Sequence, residues 1–355
     1  MRILVINPGA TSTKIAVFEE ETEVFSASLW HTPEELSGFL RVVDQLPLRE
    51  GLVRSALAQA GYSPASFDAV CSRGGLVRHI PSGTYAIDDQ VIYDIYHPPF
   101  GEHASSLGPV IARSIAKEAQ IPAYLVDPPS VDEMQPLARV SGLSGMERES
   151  FFHALNQKAV ARKAAADLGK PYEALNLVVV HMGGGVSIAA HEKGRVVDVF
   201  NVKDEGSFSL DRAGSLPITA LVNLCYSGAK KQDVKHRLSF EAGVFSYLGT
   251  RDFREVERRM LEGDTEAAMV FRAMAYQHAK DIGAMAAVLR FAIDAVLLTG
   301  GIAYSERFCA EISGYVEKIA PVLRYPGEEE MKALALGALR VLRGEAAKSY
   351  SESIL

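Results

Sequence analysis

Two stretches of this chain repeat one pattern, in which a short apolar strand enters a glycine-containing turn and a second apolar strand returns. They read ILVINPGATSTKIAV over 3–17 and LVVVHMGGGVSIAA over 177–190. Two further stretches, DAVCSRGGLV over 68–77 and DAVLLTGGIA over 294–303, share their spacing from Asp-Ala-Val to Gly-Gly. Chance similarity between buried strands would explain either pair alone. Because both pairs occur in the same order, we interpret the chain as a duplicated α/β protein with a nucleotide in the cleft between its halves.

Neither turn fits the usual phosphate loop of nucleotide-binding proteins, because that loop opens a helix and these turns lead into strands. Backbone N–H groups of a glycine turn can still converge on phosphate oxygens. The candidates are Thr11, Ser12 and Lys14 in the first half and Gly183, Gly184 and Gly185 in the second. A tight hairpin without a ligand is the alternative for any one turn. Lys14 favours a phosphate site, because a lysine this early in an apolar strand must point away from the core.

The overall charge limits how such a ligand is held. The 355 residues are 48% hydrophobic and 23% charged, as in an ordinary soluble protein of about two domains. The net charge of −7 argues against a broad nucleic-acid surface. Any anionic ligand must therefore be held by a local cluster of positive groups.

Cysteines and apolar runs indicate the compartment. The chain has three cysteines, Cys71, Cys225 and Cys309. Their odd number and wide spacing fit reduced thiols, not a disulfide framework or a zinc site. The apolar start of the chain is too short for a signal peptide, and Arg290 and Asp294 interrupt the apolar stretch 284–304. We expect a soluble, cytoplasmic protein with no nucleic-acid or membrane partner.

Several charged residues occupy positions where α/β proteins place functional groups. Arg73 ends a predicted strand and Arg212 lies in a turn-rich segment, so each is either a surface arginine or a fork for carboxylate and phosphate. Asp127 follows an apolar strand, as a metal ligand or catalytic group would, although a turn aspartate fits equally well. His153 and His181 are either partly buried, hydrogen-bonded histidines or functional groups.

Helical periodicity predicts helices over 147–168 and 331–343, among others. Three consecutive glutamates, 328–330, precede the last of these helices. Favourable interaction with the helix dipole explains them without any further role.

Together these stretches resemble the acetate kinase family, and within it the butyrate kinase branch. The motifs that carry the resemblance run in order from residue 3 to about 343: NPGATSTKIAVFE, RGGLV, SGTY, EHASSLG, FHALNQKAVAR, HMGGGVSIAAHEKGRVVDV, YLGTRD, LTGGIAYSE and APVLRYPGEEE. The resemblance implies an α/β fold of two duplicated ribonuclease-H-like (actin-like ATPase) domains with an interdomain cleft. It places an acyl-substrate domain at 1–150 plus 331–355 and a nucleotide-binding domain at 151–330.

The resemblance also implies roles for individual residues. The first phosphate loop would use Asn7, Thr11, Ser12 and Lys14, and the second would use His181, Gly183, Gly184 and Gly185. The adenosine pocket would use Asp252, Phe253, Arg254, Gly300 and Gly301. The catalytic residues would be Arg73, which holds the acyl carboxylate, Asp127, His153 beside the transferring phosphoryl group, and Arg212. Asp127 and Glu329 would organise Mg²⁺, with Glu329 chosen by alignment from the three glutamates.

Four positions depart from the pattern of acetate kinases. Ala10 replaces a serine, Gly184 replaces an asparagine, and Glu102 replaces an apolar residue. Gly75 replaces a valine that faces the methyl group of acetate, so we expect a longer acyl pocket. These departures favour an acid longer than acetate.

The predicted reaction is ATP + butyrate = butyryl phosphate + ADP, an in-line, Mg²⁺-dependent phosphoryl transfer to a carboxylate. Acetate, propionate or a branched-chain acid is the alternative substrate. A sugar kinase or a non-catalytic ATP-dependent switch of the same superfold is a more distant alternative. We also expect a homodimer or a larger homo-oligomer.

Overall fold

The computed structural model describes residues 1–355, and it divides the chain into two compact units. Unit 1 comprises 1–132 together with 329–355, and unit 2 comprises 133–328. Sequence analysis placed the two boundaries after residues 150 and 330. Residues 133–150 lie in unit 2, where Arg148 forms ion pairs with Asp198 and Glu205.

The regular elements alternate between strands and helices along most of the chain. The strands are β1 (Arg2–Pro8), β2 (Ser12–Glu19), β3 (Thr22–Trp30), β4 (Ala69–Arg73), β5 (Thr84–Ala86), β6 (Ala123–Val126), β7 (Asn176–Met182), β8 (Val186–Glu192), β9 (Arg195–Phe200), β10 (Ala295–Gly300), β11 (Val322–Pro326) and β12 (Lys348–Ser349). The helices are α1 (Pro33–Ser37), α2 (Leu46–Gln59), α3 (Asp89–Tyr96), α4 (Leu107–Ala119), α5 (Pro136–Arg139), α6 (Ala154–Asp167), α7 (Ile218–Cys225), α8 (Lys231–Phe240), α9 (Gly243–Leu248), α10 (Phe253–Leu261), α11 (Thr265–Val288), α12 (Glu306–Val316) and α13 (Glu330–Leu342).

Unit 1 is built on a seven-stranded sheet with the order β12-β5-β6-β4-β1-β2-β3. β1 pairs antiparallel with β2, whereas β4 runs parallel to β1 and β6 runs parallel to β4. Side chains alternate between the two faces of a strand. Leu125 therefore packs in one core with Ile111 of α4, while the next residue, Val126, lies against Gly337 of α13. Helices thus cover both faces of the sheet.

Unit 2 is built on a five-stranded sheet with the order β11-β10-β7-β8-β9. β7 pairs antiparallel with β8, β10 runs parallel to β7, and β11 runs parallel to β10. Val178 and Val180 of β7 pack with helix α11, and the alternate residues Leu177 and Val179 pack with helix α6. This sheet is also covered on both faces, which explains why its strands read as continuous apolar runs.

The two sheets contain the same five-stranded core. The strands β3-β2-β1-β4-β6 and β9-β8-β7-β10-β11 have the same order and the same relative directions. The sequence repeats are the hairpins β1–β2 and β7–β8 and the neighbouring parallel strands β4 and β10. The prediction of a duplicated α/β fold is therefore confirmed.

One helix prediction was wrong at its start. The periodicity predicted a helix over 147–168, but α6 begins only at Ala154. Phe151 and Phe152 are buried in a non-helical segment, and Phe151 O accepts a hydrogen bond from Val202 N–H, so tertiary packing outweighs the local pattern. None of the helices combines the length and apolar character that a membrane crossing requires.

Candidate active site

The turn of the β1–β2 hairpin is the first predicted phosphate loop. Gly9 N–H donates to Ser12 O at 2.7 Å and closes the turn. Asn7 of β1 lies opposite Lys14 of β2 in the strand register. Lys14 is exposed between the buried residues Thr13 and Ile15, so the prediction that it points away from the core is confirmed.

Arg73, the last residue of β4, lies beside this loop. Its Nη1 is 2.8 Å from Oε1 of Glu330, and Oε2 of Glu330 accepts a hydrogen bond from Asn7 Nδ2 at 2.8 Å. The Nε–H of Arg73 is buried and has no acceptor. Buried polar atoms almost always have a partner. This unused edge of the guanidinium therefore has the chemistry to receive the carboxylate of a ligand.

Asp127 lies just beyond the end of β6 and is 2% exposed. Its Oδ1 accepts hydrogen bonds from Ser82 Oγ at 2.7 Å and from Gly83 N–H at 2.8 Å. Its φ of +37° is uncommon for a residue other than glycine. These donors lie 45 and 44 residues away in the sequence, so Asp127 binds a distant segment instead of capping its own turn, and a strained strand end is also typical of functional positions.

The three glutamates at 328–330 have different surroundings. Glu328 Oε1 is 3.0 Å from His181 Nε2 in unit 2, and Glu330 binds Arg73 and Asn7 in unit 1. Glu329 is the residue immediately before α13. No group of three or more His, Cys, Asp or Glu side chains is arranged to hold a metal ion. Mg²⁺ commonly takes only one or two carboxylates together with waters and substrate phosphates, so the carboxylates of Asp127 and Glu329 fit its chemistry.

The turn between β7 and β8 is the second predicted phosphate loop. A Cβ at Gly185 would lie 2.6 Å from Val202 Cγ2 and 3.5 Å from the Arg212 guanidinium carbon, so only glycine permits this approach. Nothing lies within 4 Å of a Cβ at Gly184. Arg212 Nη1 donates to Val202 O at 3.0 Å, and burial lowers the pKa of Arg212. A partly buried guanidinium thus lies against the glycine turn.

His153 and His181 are stacked, with ring centroids 3.6 Å apart and planes 10° apart. His181 is buried, and its two ring nitrogens are 2.8 Å from Asn156 Oδ1 and 3.0 Å from Glu328 Oε1. His153 precedes α6, and its Nδ1 is 2.8 Å from Ser187 Oγ. The structure therefore brings together two histidines that lie far apart in the sequence.

A buried chain of polar side chains ends on His153. Burial lowers the pKa of His191 far below its usual value, so this ring is neutral and has one donor and one acceptor nitrogen. Gln157 Nε2 donates to Ser187 O at 3.0 Å and to Ser187 Oγ at 2.9 Å, so Gln157 Oε1 accepts from His191 Nε2–H at 3.0 Å. His191 Nδ1 then accepts from Tyr172 O–H at 2.7 Å. The Ser187 hydroxyl hydrogen would complete this chain by donating to His153 Nδ1, so we expect the His153 proton on Nε2.

A cavity of about 860 Å³ lies in unit 2 beside the glycine turn. Of the residues predicted to bind adenosine or phosphate, it is lined by Gly183, Gly184, Asp252, Phe253, Arg254 and Gly301. Asp252 caps α10 by accepting from Arg254 N–H at 3.0 Å. Gly300 does not line the cavity; its φ of +89° and the closeness of the Met182 backbone require glycine there. The volume suits a small-molecule ligand.

Two of the departures from the acetate kinase pattern have structural explanations. A Cβ at Gly75 would lie 2.6 Å from Ser106 Cβ and 2.7 Å from Ser106 Cα. The space next to Gly75 is therefore filled by Ser106, and the expectation that Gly75 itself lengthens an acyl pocket is wrong. Glu102 accepts hydrogen bonds from Arg41 Nε at 2.8 Å and from Val42 N–H at 2.6 Å, so it holds the segment before α2.

Sequence reasoning missed several residues of these sites. Arg49 of α2 is 0% exposed and binds the first loop, although its helix reads as an ordinary surface helix. Ser187 and Gln157 reach His153 only through tertiary contacts. The alternation of the strand from Ile188 could have placed Ser187 opposite the α11 face, but nothing in the sequence identifies its partner.

Comparison with known proteins agrees with the fold. A family model described as the Acetokinase family matches residues 144–317. Over 352 residues the chain is 48% identical to Butyrate kinase 1 of Clostridium acetobutylicum, covering 98% of this chain and 99% of that protein. The crystal structure of Porphyromonas gingivalis acetate kinase matches with a TM-score of 0.75 at 19% identity, covering 96% of this chain and 99% of that one. That of Entamoeba histolytica acetate kinase matches with a TM-score of 0.77 at 14% identity, covering 95% and 98%.

The two acetate kinase structures have the actin-like ATPase fold, so this predicted fold class is confirmed. The identity to Butyrate kinase 1 extends over nearly the whole of both chains. The chain therefore belongs to the acetate kinase family.

Proposed function

We propose that the protein is a short-chain fatty acid kinase that catalyses ATP + butyrate = butyryl phosphate + ADP. The observation that carries this proposal is the guanidinium of Arg73, which binds the carboxylate of Glu330 through Nη1 and keeps a buried, unused Nε–H. A guanidinium with a free edge is suited to a second carboxylate, held side-on through two parallel hydrogen bonds. Similarity to Butyrate kinase 1 supports butyrate as the acid.

The acid needs no general base. A carboxyl group has a pKa of roughly 4 and is ionised at neutral pH. One of its oxygens attacks the γ-phosphorus of ATP, the new O–P bond forms, and the bond to the β,γ-bridging oxygen breaks as ADP leaves with the electron pair. The obstacle is the approach of one anion to another, so catalysis rests on positioning and charge stabilisation.

Unit 2 holds the groups that we assign to the nucleotide. Adenosine would occupy the cavity at Asp252–Arg254 and Gly301, with phosphates at the N–H groups of Gly183–Gly185. Arg212 and His153 would stabilise the charge on the transferring phosphoryl group. The partly buried guanidinium of Arg212 binds a carbonyl and no carboxylate, so its charge is not cancelled by an ion pair.

Unit 1 holds the groups that we assign to the acid, to Mg²⁺ and to further phosphate contacts from Asn7, Thr11, Ser12 and Lys14. Asp127 and Glu329 would hold Mg²⁺, through waters. Glu329 is chosen from the three glutamates by its position in the family motif; Glu328 lies 3.0 Å from His181, and Glu330 binds Arg73 and Asn7. When bound, Mg²⁺ would neutralise charge on the β- and γ-phosphates.

One experiment tests the proposal. The purified protein is incubated with Mg-ATP and straight and branched acids from acetate to hexanoate, and acyl phosphate is trapped as the hydroxamate. We expect product from butyrate, its loss in Arg73→Gln, and its retention in Arg113→Gln, which removes an exposed ion pair of α4. Faster reaction with acetate, propionate or a branched acid would replace butyrate as the proposed substrate. Absence of hydroxamate from every acid would refute the kinase assignment and favour a sugar kinase or an ATP-dependent switch.

The homo-oligomer and the cytoplasmic location stay predictions. The exposed apolar side chains around α7 support self-association, since no residue of α7 is buried and Ile218 is 79% exposed. Apolar surface of this kind commonly lies at protein interfaces. Light scattering of the purified protein measures the state directly.

A further inference from the structure

Arg49 of α2 is a fully buried arginine without an acidic partner. It is 0% exposed, and no Asp or Glu forms an ion pair with it. Burial lowers the pKa of Arg49, but an arginine stays charged in proteins. An unpaired buried charge costs several kcal/mol unless hydrogen bonds compensate it. A residue of this kind calls for an explanation beyond helix packing.

The hydrogen bonds of Arg49 go almost entirely to the first phosphate loop. Its Nη1 donates to Gly9 O at 2.9 Å and to Ser12 O at 3.3 Å, and its Nη2 donates to Ala10 O at 3.1 Å. Nη1 also lies 3.1 Å from Thr13 Oγ1, and Nε donates to Gln45 Oε1 at 3.0 Å, which fixes the guanidinium on its own helix. Arg49 therefore binds the loop from its buried side.

The geometry of the peptide unit predicts which groups the loop presents on its outer side. The C=O and N–H of one trans peptide unit point in opposite directions. Because the carbonyls of Gly9 and Ala10 point at the buried guanidinium, the N–H groups of Ala10 and Thr11 point away from it. Ala10 and Thr11 are exposed, and neither N–H donates to a protein acceptor. Two outward-facing donors with a fixed positive charge behind them form a favourable anion site.

We propose that Arg49 is the positioning residue of the first phosphate loop, holding the N–H groups of Ala10 and Thr11 outward for a phosphate oxygen of ATP. The idea rests on the proposed function, which assigns this loop to phosphate. This role of Arg49 also explains why the loop can bind phosphate with Ala10 at the position where acetate kinases have serine. The loop is fixed from behind through its carbonyls, and its anion donors are backbone N–H groups.

The test compares Arg49→Ala, Arg49→Lys and the control Arg54→Met in the full-length protein. Arg54 lies on the same helix but forms half-exposed ion pairs with Glu50 and Glu118, so its loss should leave ATP binding unchanged. For Arg49→Ala we expect the Kd for Mg-ATP to rise about tenfold and kcat/KM to fall about a hundredfold, as for loss of a preorganised donor site. Arg49→Lys should lie between. Millimolar methylguanidinium should restore part of the ATP affinity of Arg49→Ala.

Amide NMR separates this role from a purely structural one. In the wild type, ATP should shift the Ala10 and Thr11 amide signals, and in Arg49→Ala that shift should shrink while the urea midpoint shows a folded protein. Wild-type ATP affinity and wild-type amide shifts in folded Arg49→Ala would overturn the proposal. If Arg49→Ala does not fold, the same measurements on Arg49→Lys and Gln45→Leu test the proposal. Gln45→Leu removes the acceptor that holds Arg49 Nε. If the ATP affinity depends on Arg49 but the wild type phosphorylates no acid, the kinase assignment alone is refuted.

Discussion

Gly75 provides a sharp test of whether the sequence departure near Arg73 concerns substrate or packing. The residue carries no side chain because Ser106, just before α4, occupies the adjacent space. A Cβ at position 75 would lie 2.6 Å from Ser106 Cβ and 2.7 Å from Ser106 Cα. The serine hydroxyl can rotate away, but Cβ and Cα cannot move without the backbone. Gly75→Ala therefore has to displace the start of α4 from the loop that follows β4.

Overpacking of this kind costs about 1–3 kcal/mol. In a domain of this size each kcal/mol lowers Tm by about 2–4 °C, so we expect Tm to fall by roughly 2–12 °C. The double variant Gly75→Ala/Ser106→Gly removes the Cβ contact and should recover part of the loss, with a coupling of at least about 0.5 kcal/mol. Gly51→Ala is the control, because a Cβ there meets nothing within 4 Å. On an open helix face this change should stabilise by about 1 kcal/mol.

Urea denaturation and the hydroxamate assay together distinguish the two explanations. If Gly75 lengthened the acyl pocket, Gly75→Ala would be as stable as the wild type and would prefer acetate more strongly. If Gly75 serves packing, the variant loses stability and keeps its order of preference among acids. A stable, acetate-selective Gly75→Ala would refute the packing argument.

Three further predictions concern buried polar groups. Burial lowers the pKa of His278 to about 4, so the unfolded chain binds a proton near pH 6.5 that the native state refuses until about pH 4. The free energy of unfolding should therefore decrease as the pH falls, by about 2 kcal/mol between pH 7 and 5. Urea denaturation should show that His278→Met lacks this decrease. An equal decrease in the wild type and in His278→Met would contradict the prediction. Ser187→Ala should lower kcat about tenfold without changing the KM for ATP. In ¹⁵N NMR spectra the His153 ring should no longer be held in the Nε2–H tautomer. An unchanged spectrum would exclude the role of Ser187. Arg212→Ala should lower kcat by about a thousandfold in steady-state assays without changing the urea midpoint, and near-normal turnover would remove Arg212 from the mechanism.

The parts of the fold that sequence predicted are those that local patterns determine. Alternating and continuous apolar runs around the two glycine turns become the hairpins β1–β2 and β7–β8, and the exposed position of Lys14 follows from strand alternation alone. The start of α6 was misplaced because burial of Phe151 and Phe152 overrides the helical period. The helical period of a sequence reports only local preference. It contains no information about the core against which the segment packs.

The parts of the candidate site that sequence missed depend on contacts between distant segments. Arg49 lies forty residues from Gly9, the first of the loop residues whose carbonyls it binds, and its place on a helix of mixed charge predicts only a solvated side chain. Ser187 is one hydroxyl in an apolar strand, and its function becomes visible only when His153 is found 2.8 Å away. Gly75 shows the reverse error, since an absent side chain was interpreted as open space before its neighbour was known.

The arginines show how an acidic chain can offer sites for anions. With a net charge of −7, many arginines have carboxylates close by, and Arg54, Arg113 and Arg148 each form ion pairs. Arg49, which is buried, and Arg212, which is partly buried, differ because each donates to a backbone carbonyl beside a predicted phosphate loop. A carbonyl satisfies the guanidinium N–H but leaves its positive charge uncancelled, and the weakly polarisable surroundings screen that charge little. Each unit thus keeps one such cation beside its hairpin turn, which is the local concentration of positive charge that a polyphosphate ligand requires.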